Sequence, residues 1–113
     1  DKKTVRHLTI MHYGPLLRDG VEIYEYTPGF IHAKHCTNES SAVIGTINMD
    51  FRSFYTHFEN GIWIPEGDVL KDIDLDFEKT IAVSKQITYE DWKRRPFTHK
   101  LLQHFLYFFK CHF

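Results

Sequence analysis

The chain has 113 residues, of which 42% are hydrophobic and 16% are aromatic. This composition excludes a disordered chain, and the length predicts one domain with a packed core but no deep cleft of its own. Lys and Arg number 14 against 15 Asp and Glu, a formal net charge of -1, so no global field attracts nucleic acid or anionic lipid. The two cysteines lack CxxC spacing and define no disulfide framework, which is typical of a reducing, cytosolic environment.

Neither a membrane span nor a leader is predicted from the sequence. No run of residues approaches the roughly 18 apolar positions that are needed to cross a bilayer. The first residues, DKKTVRH, lack the apolar core of a signal peptide. Because the chain does not begin with Met, we expect it to be a piece of a longer protein.

The first third of the chain predicts a helix followed by two strands. Apolar residues recur at roughly helical spacing up to Asp19-Gly20, where the glycine is a helix stop, with a possible break at Gly14-Pro15. Alternation in VEIYEY predicts a strand, and Thr27-Pro28-Gly29 predicts a turn into a second strand, FIHAK.

The remainder predicts further strands and then helices. The apolar run AVIGT indicates a strand buried on both faces, and GIWIP indicates another short strand. Apolar residues from Val69 to Ile81 recur at helical spacing, and Thr88 with Asp91 forms a capping box for a short helix. Thr98 is placed to cap a last helix. The predicted fold class is therefore α/β (mixed α+β), with a central mixed sheet flanked by helices.

One ordered set of polar residues stands out in the middle of the chain. His32 and Lys34 are followed by the carboxylate of Glu39, by Gly45-Thr46-x-Asn48, and by Asp50-Phe51-Arg52-Ser53. An imidazole and an ammonium on an apolar segment are costly to desolvate unless an anion meets them. On a strand, residues two apart face the same side, so His32 and Lys34 can contact the same anion.

This set resembles the HKD signature, HxKxxxxD followed by G[ST]xN, of the phospholipase D superfamily. The stretches DKKTV, LLRDGVEIYEYTPGFIHAK, GTINMDFRS and HFENGIW resemble the C-terminal catalytic half of bacterial cardiolipin synthases, over nearly all of residues 1–95. Glu39 stands where the signature has Asp, and the segment between it and Gly45 is one residue shorter than the usual pattern. The resemblance implies a phospholipase D-like lobe over residues 1–113, the C-terminal lobe of a longer two-motif enzyme.

The resemblance also implies a chemistry without a metal or cofactor. In this superfamily a histidine attacks the phosphorus of a phosphodiester to give a phosphohistidine, and a second HKD histidine protonates the leaving alcohol. His32 would be the nucleophile or its acid partner, because an imidazole of near-neutral pKa can do either. Lys34 would contact the phosphate oxygens, Asn48 would donate an amide hydrogen bond as charge builds, and Thr46 could add a hydroxyl.

Four further residues receive roles by the same resemblance. An attacking imidazole needs its other nitrogen held by an acceptor, and Glu59 in HFE matches the downstream acidic position that fills this role in the family. Glu39 is the motif carboxylate and looks more structural than chemical. Arg52 and Ser53 are expected to anchor the loop after Asn48 and to line the substrate site.

The implied partners are phosphatidylglycerol and other phospholipids, a membrane surface on its cytoplasmic side, and a second HKD lobe or a homodimer partner. No nucleic acid is expected, since the charge is balanced. The eight histidines do not predict a zinc site, because His32 and His35 face opposite sides of an extended strand and no cysteine pair completes a ligand set.

One motif supplies only half of a two-motif site, which leaves three readings open. The chain can be the C-terminal lobe of a phosphatidyltransferase that joins two phosphatidylglycerols and releases glycerol. It can be a single-motif phosphodiesterase or nuclease that rebuilds the site across a twofold axis. It can also be an inactive fragment.

Overall fold

The computed structural model describes residues 2–97 and Leu101, and the chain divides into two compact units. Unit 1 joins the residues up to Glu25 with those from Lys85 onward, and unit 2 is Tyr26–Ser84. The described elements are, in chain order, α1 (Lys2–Arg18), β1 (Ile23–Tyr26), β2 (His35–Asn38), β3 (Ser41–Gly45), α2 (Phe51–Tyr55), β4 (Gly61–Ile64), α3 (Val69–Ala82), β5 (Ser84–Ile87) and α4 (Tyr89–Lys93). The mixed α+β prediction is confirmed, although the described strands form two small sheets and not one central sheet.

The helix α1 ends at a glycine, as the sequence predicts. Gly20 has a φ of +88°, its N–H donates to the Leu17 carbonyl at 3.2 Å, and the Val21 N–H donates to the Leu16 carbonyl at 3.0 Å. These two bonds form a Schellman motif, which satisfies carbonyls that the helix end would leave without a donor. The predicted break at Gly14-Pro15 is wrong, because α1 runs through Pro15 without interruption.

The helix α4 packs against the turn of α1 that contains Gly14. The Trp92 ring lies directly on Gly14, where an added Cβ would be 2.3 Å from two ring atoms. The Trp92 indole N–H donates to the Ile10 carbonyl at 2.7 Å. Tyr89 stacks on the indole with ring centroids 5.6 Å apart, and the Arg95 guanidinium lies 3.9 Å from the centre of a Trp92 ring. These contacts hold Trp92 of α4 against α1.

Unit 2 is built on an antiparallel sheet with the order β2-β3-β4. The β2–β3 hairpin turns at Glu39 and Ser40, where the Asn38 side-chain oxygen accepts from the Ser40 N–H at 2.9 Å and the Ser41 N–H at 2.8 Å. This Asx-type turn fixes the register of the hairpin. The Thr27 hydroxyl donates to the Val83 carbonyl at 2.7 Å and so ties the beginning of the unit to its end.

The sequence misplaces three features of unit 2. FIHAK was predicted as a strand, but β2 begins only at His35, and residues 30–34 form an irregular segment. The prediction that β3 is buried on both faces is wrong, because Ala42 is 1% exposed whereas Val43 and Ile44 are 37% and 39% exposed. Ala42 is therefore the buried residue of the run, while Val43 and Ile44 point to opposite faces of the sheet and both stay partly exposed. The short helix α2 was not anticipated.

Two helix predictions are confirmed, and one lies outside the described part of the chain. The helix α3 spans the residues whose apolar spacing predicted it. The capping box of Thr88 and Asp91 opens α4, with both of its reciprocal hydrogen bonds present. The helix expected after Thr98 falls on residues that the structure does not describe, and among the described helices none is long and apolar enough to cross a membrane.

The packing of the Trp92 ring on Gly14 predicts how a substitution at Gly14 changes stability. Gly14→Ala should lower the free energy of unfolding by about 1–3 kcal/mol, as overpacked sites usually do, although alanine is the better helix former. The ring cannot move aside without losing its bond to Ile10. Chemical denaturation of the purified protein measures the effect.

The matched control is Gly29→Ala, where no atom lies within 4 Å of an added Cβ and φ is not positive. That variant should stay within about 0.5 kcal/mol of the unmodified protein. If Gly14→Ala were equally stable, the packing of Trp92 on α1 would be contradicted.

Candidate functional site

The segment that carries His32 and Lys34 is irregular and precedes the sheet. The Lys34 carbonyl accepts from the Gly45 N–H at 3.0 Å, which continues the β2–β3 pairing by one residue and fixes the Lys34 backbone. The Lys34 ammonium turns back to donate to the His32 carbonyl at 2.8 Å. His32 is exposed, with its ring centroid 6.0 Å from that of Phe30. The imidazole is therefore open to solvent, while the lysine is held at its backbone.

Lys34 and Asn48 both line a cavity of about 660 Å³ in unit 2. Many of its other lining residues are apolar, among them Ile31, Val43, Ile47, Met49, Phe54 and Phe77. The Asn48 side chain makes no hydrogen bond with a described residue, so its amide is available to a ligand. His35, Thr80 and the carboxylate of Asp76 line the same cavity. An ammonium and an unengaged amide are groups that can bind an anion with hydrogen-bond acceptors.

Asn48 also belongs to a hydrogen-bonded group of Thr46, Asn48, Ser53 and Glu59, called here the Glu59 cluster. The Ser53 hydroxyl donates to Glu59 Oε1 at 2.7 Å, and the Thr46 hydroxyl donates to Glu59 Oε2. Each hydroxyl also accepts from a backbone N–H, Ser53 Oγ from Asn48 at 3.1 Å and Thr46 Oγ1 from Asn60 at 3.1 Å. Both oxygens of one carboxylate are thus joined to two backbone segments through two hydroxyls.

The helix α2 places Ser53 in this cluster. Asp50 is its N-cap, and the Asp50 carboxylate accepts from the Ser53 N–H at 2.8 Å. Ser53 is 7% exposed and so points into the unit. The spacing of Asp50 and Ser53 is that of a side-chain cap, which explains why the chain turns into a helix immediately after Asn48.

A close approach of two backbones positions Thr46. Gly45 pairs with Gly61 at the end of the β3–β4 ladder, and an added Cβ at Gly45 would lie 2.2 Å from the Asn60 carbonyl oxygen. The Thr46 N–H donates to that carbonyl at 2.9 Å. Only glycine permits this contact, which brings the Thr46 hydroxyl to the carboxylate of Glu59.

The hydroxyl donors control the ionisation of Glu59. Hydrogen bonds from Thr46 first, and then from Ser53, stabilise the charged form and lower the pKa of Glu59 below its ordinary value. Nδ1 of His57 lies 3.8 Å from Oε1 and lowers the pKa further. Among the described residues, the imidazole next to Glu59 is that of His57, and no hydrogen bond or ion pair joins Glu59 to His32.

The structure separates Glu39 and Arg52 from the cluster. Glu39 lies at the hairpin turn between Asn38 and Ser41, about 15 Å along the strand from Gly45 at the usual rise per residue. Arg52 lies on α2 with an exposed side chain, and its carbonyl accepts from the Thr56 and His57 N–H groups. Within the described ranges 2–97 and 101, no group of three or more His, Cys, Asp or Glu residues could hold a metal.

Sequence reasoning overlooked two features of the site, since it gave no role to His57 or to the backbone of Asn60. It expected Ser53 to anchor the loop after Asn48 and to line the substrate site, and in the structure the Ser53 hydroxyl is bonded to the Asn48 N–H and to Glu59. The three-residue spacing from Asp50 to Ser53 was a usable signal for α2, but the contacts of Asn60 depend on strand register and have no local signature.

Comparison with known proteins gives a family match over most of the chain. A family model described as cardiolipin synthase, PLD-like domain, matches residues 1–81. No solved structure matches.

The relatives are much longer than the chain. An uncharacterized protein of Streptococcus mutans is 41% identical over 103 residues, which cover 90% of the chain and 22% of the relative. Cardiolipin synthase 1 of Staphylococcus aureus (strain COL) is 40% identical over 101 residues, 88% of the chain and 20% of the relative. Cardiolipin synthase of Alkalihalophilus pseudofirmus is 36% identical over 104 residues, 91% of the chain and 21% of the relative. The chain thus spans about a fifth of the length of the curated relatives it matches.

The lowered pKa of Glu59 predicts how stability depends on pH. A carboxylate whose pKa is lower in the folded state stabilises the protein above its unfolded pKa, near 4.5, and loses this contribution as pH falls through the folded pKa. Glu59→Gln removes the charge. The unmodified protein should therefore be the more stable at pH 7, with the difference shrinking as pH falls below about 4.5.

Urea denaturation of both proteins between pH 3 and pH 7 measures this difference. Glu39→Gln is the matched control, since it removes a carboxylate that forms no hydrogen bond with a described residue. A Glu59→Gln difference that is constant over the whole range would show that the charge of Glu59 does not stabilise the cluster.

Proposed function

The chain belongs to the cardiolipin synthase PLD-like domain family, and from this premise we propose that it carries one half of a phosphatidyltransferase site. The reaction proposed is the joining of two phosphatidylglycerols to cardiolipin with release of glycerol. The observation that supports it most directly is that Lys34 and an unengaged Asn48 line one cavity. A phosphodiester is an anion with several acceptor oxygens, to which an ammonium and an amide can donate.

His32 is the proposed nucleophile. Its imidazole nitrogen attacks the phosphorus of phosphatidylglycerol, a P–N bond forms, and the P–O bond to the headgroup glycerol breaks. The leaving glycerol oxygen takes a proton from a second imidazole. A glycerol hydroxyl of a second phosphatidylglycerol then returns a proton to that imidazole and attacks the phosphorus, which releases His32 and forms cardiolipin. The exposure of His32 supports this role, since the attacking nitrogen must reach a ligand from outside.

Lys34 and Asn48 are proposed to bind the phosphate oxygens. The Lys34 ammonium has three protons, and one of them is used in the bond to the His32 carbonyl. The Asn48 amide can donate to a phosphate oxygen as negative charge builds in the transition state. Arg52, exposed on α2, is a further candidate for contact with the substrate, and Glu39 is proposed to shape the hairpin turn.

The second imidazole has to come from outside this motif. A second HKD lobe, or a second copy of the chain related by a twofold axis, would supply it. The matched relatives, which are about five times as long as the chain, favour a second lobe. Residues 1–113 would then be the C-terminal lobe of such an enzyme, acting on phospholipids at the cytoplasmic side of a membrane.

The function is tested by incubating the purified protein with phosphatidylglycerol vesicles and measuring the cardiolipin formed by mass spectrometry of the lipids. The mass of the protein in solution is measured on the same sample. Active dimers of the chain would favour the twofold arrangement. Activity only in the presence of a second HKD lobe would favour the two-lobe arrangement. No activity in either case would contradict the proposed function.

In the active assembly, His32→Ala should abolish transfer, because no phosphohistidine can form without the imidazole. Quenched reactions with labelled phosphatidylglycerol should also lose the acid-labile, alkali-stable label that a phosphohistidine carries. The matched control is His12→Ala, an exposed histidine on α1 in the other unit, which should retain both activity and label. Retained turnover in His32→Ala would remove His32 from the chemistry.

Lys34→Ala should lower kcat by about 100-fold or more while the protein stays folded, because a charged donor to the phosphate is lost in the transition state. The backbone bond from Gly45 to Lys34 does not depend on the side chain, so the sheet should persist. Lys85→Ala on β5, an exposed lysine in the other unit, is the control. An unchanged rate in Lys34→Ala would contradict the phosphate role.

A further inference from the structure

We propose that Ser53 is a positioning residue, which holds Asn48 in the orientation that binds the phosphate. The inference rests on the proposed function for its kinetic consequences, since Asn48 is the group that would contact the substrate. Ser53 itself would touch no substrate atom. This role is a specific form of the expectation that Ser53 anchors the loop after Asn48.

The hydrogen bonds of Ser53 leave its hydroxyl no proton for a ligand. Its single proton is donated to Glu59 Oε1 at 2.7 Å, and its oxygen accepts from the Asn48 N–H at 3.1 Å. The side chain is almost fully buried, whereas Asn48 next to the cavity is exposed. A residue so placed can act on a substrate only through its neighbours.

The backbone bond to Asn48 is the specific link. Because the Asn48 N–H is held, rotation of the peptide before Asn48 is restricted, and the direction of its side chain relative to the cavity is restricted with it. The helix α2 fixes Ser53 from the other side through the Asp50 cap at 2.8 Å. Asn48 is therefore joined to Ser53 on α2, five residues further along the chain, as well as to its own loop.

Glu59 fixes the direction in which the Ser53 hydroxyl donates its proton. A charged carboxylate accepts only, so the Ser53 hydroxyl must point its proton at Glu59 and its lone pair at Asn48. Thr46 repeats the same arrangement on the other oxygen, with the Asn60 N–H as its donor. The stretch from Thr46 to Asn48 is thus held at both ends by one anion.

The test is kinetic and uses the active assembly with phosphatidylglycerol vesicles. Ser53→Ala should lower kcat by about 10- to 100-fold with KM changed less than about threefold, since displacement of a catalytic group by about 1 Å has effects of this size. The matched control is Thr56→Ala, which deletes a hydroxyl at the end of the same helix that bonds only the Arg52 carbonyl. Thr56→Ala should leave both constants unchanged.

A double-mutant cycle separates positioning from a general loss of structure. If Ser53 acts through Asn48, Asn48→Ala and the double variant Asn48→Ala/Ser53→Ala should have the same kcat. Losses that multiply in the double variant would overturn the inference. An Asn48→Ala variant with normal kcat would instead overturn the role of Asn48 in the proposed function.

A measurement without turnover completes the test. Amide hydrogen exchange at the Asn48 N–H, followed by NMR, should become about five- to tenfold faster in Ser53→Ala and stay unchanged in Thr56→Ala. Ser53→Cys, which keeps the size of the side chain but offers only a weak donor and acceptor, should give the same change if Ser53→Ala does not fold. Unchanged exchange in the serine variants would overturn the inference, whether or not the assembly is active.

Discussion

The carboxylate of Glu59 is the interaction on which the arrangement of unit 2 around the cavity depends. Thr46 is 13 positions and Ser53 six positions from Glu59 along the chain, and both meet at its two oxygens. The two hydroxyls pass this constraint to backbone N–H groups at Asn48 and Asn60. A carboxylate that accepts from two fixed hydroxyls keeps its charge more readily and holds its partners more tightly than one in water. The cluster is thus a structural support for the loop that presents Asn48.

The sequence predicts those parts of the fold that depend on local patterns of residues, and it does not predict those that depend on contacts between residues far apart in the chain. The glycine stop at Gly20 and the capping box at Thr88 are local, and both are present in the structure. The packing of Trp92 on Gly14 joins residues that are 78 positions apart, so no window around Gly14 could reveal it. For the site, spacing and resemblance bring out the motif residues, but which hydroxyl meets Glu59 follows from the register of two strands and from a glycine contact.

Apolar side chains that stay exposed on the sheet of unit 2 bear on how the site could be completed. Val43 pairs with Trp63 and Ile44 pairs with Ile62, so the two pairs lie on opposite faces of the sheet. Val43 and Ile44 are more than a third exposed, and Ile62 and Trp63 are 69% and 68% exposed. Exposed apolar side chains that form larger patches are typical of surfaces that contact more protein or a ligand. They support the proposal that a second lobe or a second copy adds to the half-site, in keeping with relatives about five times as long.

The positions of the two tryptophans have a practical consequence. Trp92 belongs to unit 1, where its indole is hydrogen-bonded against α1, and Trp63 belongs to unit 2, where it faces solvent. Intrinsic fluorescence therefore contains one signal from each unit, and replacing either tryptophan with phenylalanine leaves an optical reporter for the other. Emission from Trp63 would move to shorter wavelength when a partner covers the sheet, while Trp92 would report whether α1 and α4 stay packed. Assembly and unfolding could be followed separately, by spectroscopy and without an added label.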